Sequence, residues 1–246
     1  MATREIEMSQ RTVLTVPTAE TEAVRFDRFF AEEGVTRASV LEAVDLTCRR
    51  TDVFLRDALE TFAEEGTFRS ACSAGCGYCC HTLVSAIPPE VFYVARHVET
   101  AFDPKVREAL KARVRSSDAT WRGRSGAARY AARAACPFLH PETWLCELHE
   151  ARPTVCRAMH SGKLAACKAA YAKRDPHEPA PTMKAFFDSR DAHYAAWAHA
   201  LGRRGLAMKP VELNQALVTV WDGRDVFGRW LGGEDVFAEA RVSQAA

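Results

Sequence analysis

The stretch Cys72-Ser73-Ala74-Gly75-Cys76-Gly77-Tyr78-Cys79-Cys80-His81 puts four thiols within nine residues. Packing alone does not call for that density. Gly75 and Gly77 allow backbone angles closed to other residues, so the segment can wrap around a small object. A metal ion or metal cluster is the obvious one, because thiolate is a strong ligand for zinc and for iron in iron–sulfur clusters. A second group starts at Cys136-Pro137-Phe138-Leu139 and runs through Cys146, Arg152-Pro153 and Cys156-Arg157 to Cys167. Eight of the nine cysteines therefore lie between Cys72 and Cys167, and only Cys48 lies outside.

The expected metal ligands are Cys72, Cys76, Cys79, Cys80, Cys136, Cys146, Cys156 and Cys167. The two groups stand roughly 60 residues apart, so bringing them together has an entropic cost that metal binding would offset. Eight thiols fit two zinc sites of four cysteines each, one four-iron cluster with thiols left over, or a multinuclear site with bridging thiolates. Neighbouring side chains diverge, so Cys79 and Cys80 serve two centres more easily than one tetrahedral ion. His81, His140, His149 and His160 could substitute for a thiol, although each taken alone reads as a surface or hydrogen-bonding histidine. Arg152 and Arg157 sit among the cysteines and read as charge-assisted donors to sulfur or to an anionic ligand. Arg69, Lys163 and Lys168 read as solvated charges. The spacing leans toward iron, since all-cysteine zinc sites more often come as repeated CxxC pairs.

At 246 residues, 48% of them hydrophobic, the chain can bury a sizeable core without staples. Its formal net charge of +1 argues against a dedicated nucleic-acid binder. No apolar run is long enough to span a bilayer, and the first residues lack the apolar core of a secretory signal. A cytoplasmic, thiol-reducing compartment is the expectation, and there clustered cysteines read as metal ligands or redox groups rather than a disulfide framework.

The fold class expected is mainly α: a helical domain with irregular cysteine-rich loops organised around a metal site. Residues 1–18 read as a loose arm, with Val13–Val16 as a short strand at most. Helices are expected over Glu20–Glu33, with Val24, Phe26, Phe29 and Phe30 as its apolar side, and over Thr36–Glu65, with a buried stripe at Leu41, Val44, Cys48, Leu55, Leu59 and Phe62. Cys48 on that stripe reads as a buried small hydrophobe. Thr82–Ile87 reads as extended or irregular. Pro88-Pro89-Glu90 and Asp103-Pro104 open two more helices, the second running to about Arg115. Ser116–Ala127 reads as a linker or a broken helix, and 175–181 as a proline-rich loop. Helices follow over 165–173, 183–201 and 211–221, then two shorter pieces split by Gly232-Gly233. This divides the chain into an N-terminal helical extension (1–66), a cysteine-cluster metal-binding domain (67–175) and a C-terminal helical segment packing on it (176–246).

The ordered cysteines, together with Cys136-Pro-Phe-Leu139, Arg152-Pro153 and Cys156-Arg157, resemble the YkgJ-type cysteine-cluster family, whose CxxxCxxCC domain is regarded as zinc- or iron-chelating. The resemblance covers about residues 70–170. It implies metal chelation by the eight cysteines. A related module occurs in flagellin lysine methylases, where it is linked to iron–sulfur binding. Cys72-x-x-x-Cys76-x-Tyr78-Cys79 also has the CxxxCx(aromatic)C form of radical S-adenosylmethionine enzymes. Those enzymes need a strand-rich α/β barrel, which this chain does not show, and Cys80 and the second cysteine group have no place in their pattern.

The function read from the sequence is a metal-binding cysteine-cluster protein, holding iron–sulfur or zinc, with a role in metal handling, sensing or redox. The alternative is an iron–sulfur enzyme or enzyme subunit, methyltransferase-associated or radical S-adenosylmethionine-like. A metal-free thiol switch is weaker, since it does not require ligand-like spacing. No Ser/His/Asp constellation and no phosphate-binding glycine loop can be recognised. The partners expected are a metal ion or cluster, with a protein partner left open, and neither a specific nucleic acid nor a membrane.

Overall fold

The computed structural model describes residues 14–176 and 181–242. Among them the protein is mainly helical, at 62% helix with ten helices and only two short strands. Of the arm expected over residues 1–18, residues 1–13 lie outside the described residues, and Leu14–Thr18 form no regular element.

Local sequence explains most of the boundaries. Thr18 caps α1 (Ala19–Glu33) and Thr36 caps α2 (Arg37–Glu64), each side chain accepting from the N–H three residues on. Gly34, at φ 68°, makes the turn between them. Two prolines open α3 (Pro88–Ala101), where the Glu90 carboxylate accepts the Ile87 N–H at 3.1 Å. Asp103 caps α4 (Pro104–Trp121), and Ser125 caps the short α5 (Gly126–Ala131). Then come α6 (Thr154–Arg157), α7 (Leu164–Lys173), α8 (Lys184–Gly202), α9 (Leu213–Asp222) and α10 (Val226–Leu231). β1 (Ser85–Ala86) pairs antiparallel with β2 (Val211–Glu212), Ser85 opposite Glu212.

Two boundaries and one buried face differ from expectation. α4 continues past Arg115 to Trp121, its polar stretch satisfied by one local and one tertiary partner: Asp118 pairs with Arg122 four residues on, and the Ser117 hydroxyl accepts from Asn214 at 3.3 Å. Val211–Glu212 is a strand rather than the start of a helix. It completes the ladder with β1, and the Glu212 carboxylate then caps α9 by accepting the Gln215 N–H at 2.7 Å. Val24 faces solvent at 69% exposure, while Phe26 and Phe30 carry the apolar side of α1.

One apolar core runs from α1 to the tail. Phe26 and Phe30 pack on Trp197 of α8, ring centroids 4.5 and 5.9 Å apart. Val91, Val94 and Val98 of α3 join Leu213 and Leu217 of α9 in the same cluster. Cys48 is 5% exposed within it, as its position on the α2 stripe requires. Cys136, Cys146 and Cys156 pack against its edge, so the second cysteine group is seated directly on the core.

Between α1, α2 and α8 lies a buried ionic cluster. Glu22 is 3% exposed, pairs with Arg50, and has His193 Nδ1 at 3.5 Å. Burial pushes the Glu22 carboxyl up, but His193, Arg50 and Arg25 outweigh it and hold it below its ordinary value of 4.5. A depressed folded-state value means that the stabilisation is fully present above the unfolded carboxyl value and is lost as the pH falls through the folded one. Replacing Arg50 by alanine leaves the buried carboxylate with only His193 and the more distant Arg25 to compensate it. Because Arg50 is itself about one-third exposed, a loss of about 2 kcal/mol is expected, below the range for a fully buried pair. Chemical denaturation at pH 7 measures the loss, and the difference from wild type should shrink below pH 4.5, the carboxyl's ordinary value.

Candidate metal centre

The cysteine stretch leaves α2 as an irregular loop and tightens into a 3₁₀ turn over Tyr78–His81. Gly75 takes φ 80°, the left-handed region open to glycine. Gly77 is required by space: a Cβ there would stand 2.9 Å from Leu139 Cδ1 and 3.1 Å from Trp144 Cε3. This close approach brings the first cysteine segment onto the second.

The segments are stitched by backbone. Cys136 N–H donates to the Cys80 carbonyl at 2.7 Å. Leu139 and Cys146 form an isolated antiparallel bridge, with Glu147 N–H donating to the Phe138 carbonyl at 2.8 Å. On the other flank, Ala71 N–H donates to the Ser161 carbonyl at 2.8 Å, and Ser161 N–H approaches Cys72 Sγ at 3.4 Å. Buried Glu90 seats α6, which carries Cys156. One oxygen accepts the Thr154 N–H at 2.7 Å and the other accepts the Tyr194 hydroxyl at 3.1 Å.

All nine cysteines are free thiols. The eight clustered ones form one chain of electrostatic neighbours. Cys76 feels Cys72, Cys79 and Cys167; Cys80 feels Cys79, Cys136 and Cys146; Cys156 feels Cys136, Cys79 and Cys146. Cys48 belongs to none of these sets. Its neighbours are Arg157, Glu90 and Asp52, and burial pushes its thiol up to about 12.

Burial also raises Cys136 to about 11 and lifts Cys156 well above its ordinary value, with Cys146 and Cys76 raised for the same reason. Cys79 is the exception. The adjoining Cys80 thiol pulls it below its ordinary value, aided by Arg152, and the same pairing raises Cys80. Two cations face the thiols: Arg152 acts on Cys79 and Cys146, and Arg129 acts on Cys136.

Arg157 is used differently from the sequence expectation. It is 2% exposed, and it pairs with Asp52, bonds to Cys48 and the Glu150 carbonyl, and donates through Nε to the Arg152 carbonyl at 3.0 Å. It braces the loop and α2. The histidines hold local positions as well. The His81 ring meets the Gly77 carbonyl at 3.1 Å, His140 Nδ1 accepts from the Glu142 and Thr143 N–H groups at 3.3 Å, and His160 Nδ1 lies 3.3 Å from the Ser70 hydroxyl. His149 is exposed.

An aromatic wall, which the sequence pattern did not single out, flanks the turn. Tyr78, His81, Trp144 and Tyr171 pack edge to face or tilted, with centroids 4.8 to 6.1 Å apart. The Arg133 guanidinium lies 4.7 Å from the Tyr171 ring centre. The signal available in the sequence was the placement of Tyr78 and Trp144 inside the two cysteine groups.

Among the described residues no group of three or more His, Cys, Asp or Glu side chains is arranged to hold an ion as it stands. The donor set is nonetheless chemically suited to a thiophilic metal: eight free thiols in mutual electrostatic reach, flanked by Arg152. Ligation would require the thiols to turn about χ1 and the loops to tighten, with loss of the thiol protons.

Residues 71–178 match the family model CxxCxxCC, described as a "putative zinc- or iron-chelating domain". That match covers a little under half of the chain. No curated protein and no solved structure matches the chain. The CxxCxxCC domain takes in all eight clustered cysteines and leaves Cys48 outside. Its fit to the rest of the molecule is through α3, α6 and the core edge under Cys136, Cys146 and Cys156.

Gly77→Ala should lower stability by about 1–3 kcal/mol through overpacking against Leu139 and Trp144. Gly202→Ala, at the end of α8 with nothing within 4 Å of the added methyl, should be neutral or stabilising. Thermal unfolding of the two variants beside wild type checks the contrast.

Proposed function

We propose that this protein binds iron or zinc through Cys72, Cys76, Cys79, Cys80, Cys136, Cys146, Cys156 and Cys167, and serves in metal handling, sensing or redox. The observation that carries the reading is the gathering of those eight thiols into one electrostatic neighbourhood, with the ninth set apart in the core. The CxxCxxCC domain supports chelation of zinc or iron in general. An iron–sulfur centre is the reading favoured here, because the adjacent Cys79-Cys80 pair departs from the repeated CxxC pairs of all-cysteine zinc sites.

Bound metal would supply either a cross-link between the two segments or a one-electron couple. The chain's own residues supply the rest. Arg152 offsets the negative charge that thiolates accumulate, and the Tyr78, His81, Trp144 and Tyr171 wall limits water on one side. Glu90 holds the α6 N-terminus and with it Cys156. Thiolate ligands require a reducing compartment, so the cytoplasm is the location that goes with this reading. No helix among the described residues is long and apolar enough to cross a membrane.

Anaerobic purification followed by elemental analysis and a visible spectrum tests the proposal. Stoichiometric iron with inorganic sulfide and a brown colour is the expected result. A colourless protein with zinc would support chelation and reject the iron–sulfur choice. A folded, metal-free protein with all thiols free would reject the proposal. Cys76→Ser should lose metal, whereas Cys48→Ser should keep it and lose only packing stability. Equal metal loss from the two would overturn the division of the nine cysteines.

A further inference from the structure

A cleft of about 1370 Å³ runs along α2, and no cysteine lines it. α2 supplies one wall through a stripe that returns each turn, from Arg50 and Phe54 to Asp57, Thr61 and Glu64. Residues 14–17, ahead of α1, supply a second. Glu22 and Arg25 of α1 and His193 of α8 meet α2 at the Arg50 end.

The two ends carry opposite charge. At the first end, Glu22 faces both Arg25 and Arg50. Arg50 commits only Nη2 to that carboxylate, and Arg25 reaches it only through Nε, at 3.7 Å. A guanidinium has about five N–H donors, so most of theirs are unclaimed. His193 is 1% exposed and borders the cleft, and its Nε2 has no hydrogen-bond partner. A buried polar atom left in that state is costly unless a ligand meets it.

At the far end stand Glu60, Glu64 and Glu65, exposed and without an ion-pair partner among the described residues. The last turn of α2 carries no basic residue, so the negative end of the helix dipole adds to their charge. Val16, Pro17, Val53 and Phe62 give the cleft its apolar lining. From Arg50 to Glu64 the helix advances about 21 Å. That is the span of about six residues of extended chain.

We infer that this cleft binds a short extended peptide with free termini. Its C-terminal carboxylate sits at Arg25, Arg50 and His193, and its N-terminal ammonium among Glu60, Glu64 and Glu65. The carboxylate takes up the spare guanidinium donors and gives Nε2 a partner. The ammonium neutralises the unpaired carboxylates. A ligand of one charge is opposed at one end, and a single amino acid carries both charges but is too short to reach both ends. The site stands apart from the thiols and does not depend on their binding metal.

Calorimetric titration of the full chain with a hexapeptide of alanine and threonine, both termini free, tests this. Saturable one-to-one binding is expected, weakened about tenfold by acetylating the N-terminus and about tenfold by amidating the C-terminus. Glu60→Gln, Glu64→Gln and Glu65→Gln together should erase the acetylation penalty and keep the amidation penalty. Arg25→Gln should shrink the amidation penalty and keep the other. Val53→Trp, at a position 47% exposed within the cleft, should block binding. All these side chains are exposed, and circular dichroism checks that the variants fold. Glutamine at Glu33, Glu142 and Glu239, exposed carboxylates outside the cleft, should change nothing. Absence of saturable binding, indifference to both end groups, an acetylation penalty that survives in the cleft triple variant, or equal weakening by the cleft and control triples would overturn the inference.

Discussion

A backbone hydrogen bond at 2.7 Å, from Cys136 N–H to the Cys80 carbonyl, joins two cysteine segments that α3, α4 and α5 separate in the chain. Closing a loop of that length has an entropic cost that grows slowly with size and must be met by packing at the point of closure. Here it is met by Gly77 lying against Leu139 and Trp144, by the Leu139–Cys146 bridge, and by the core beneath Phe138 and Leu148. The thiols come together because apolar and backbone contacts bring their segments together. The two cysteine segments are thus brought together by the fold before any ligand acts on them.

Electrostatics then sort the charged groups near the thiols. Cys156 and Arg157 are neighbours in sequence, yet successive residues of a helix point about 100° apart. Cys156 faces Cys136 and Cys146, while Arg157 turns to Asp52 and Cys48 on α2. Arg152, five residues earlier and just ahead of α6, remains with the sulfurs, as does Arg129 beside Cys136. Desolvation raises Cys136 and Cys156, which sit against the core, whereas the pairing with Cys80 lowers Cys79 against its own burial.

Most helices could be read from the sequence, because their signals are local. Threonine caps at Thr18 and Thr36, paired prolines at Pro88, and the apolar spacing along α2 all act within one or two turns. The eight thiols could also be listed from their order along the chain. What could not be read depends on partners distant in sequence. The polar end of α4 stays helical because Asn214 reaches Ser117. Val211–Glu212 is a strand because Ser85–Ala86 lies beside it. The aromatic wall forms only once α7 brings Tyr171 to Tyr78, and the role of Arg157 depends on where α2 passes.

Arg157 has a mechanical consequence. α6 is only four residues long, so it turns as a single piece, with Cys156 on one side and Arg157 on the other. Arg157 grips Asp52 and Cys48, near the middle of the 28-residue α2. Any rotation that draws the Cys156 sulfur toward a bound atom therefore pulls on α2 through the guanidinium. Through Arg157, the 28-residue α2 is tied to the short α6 turn that carries Cys156.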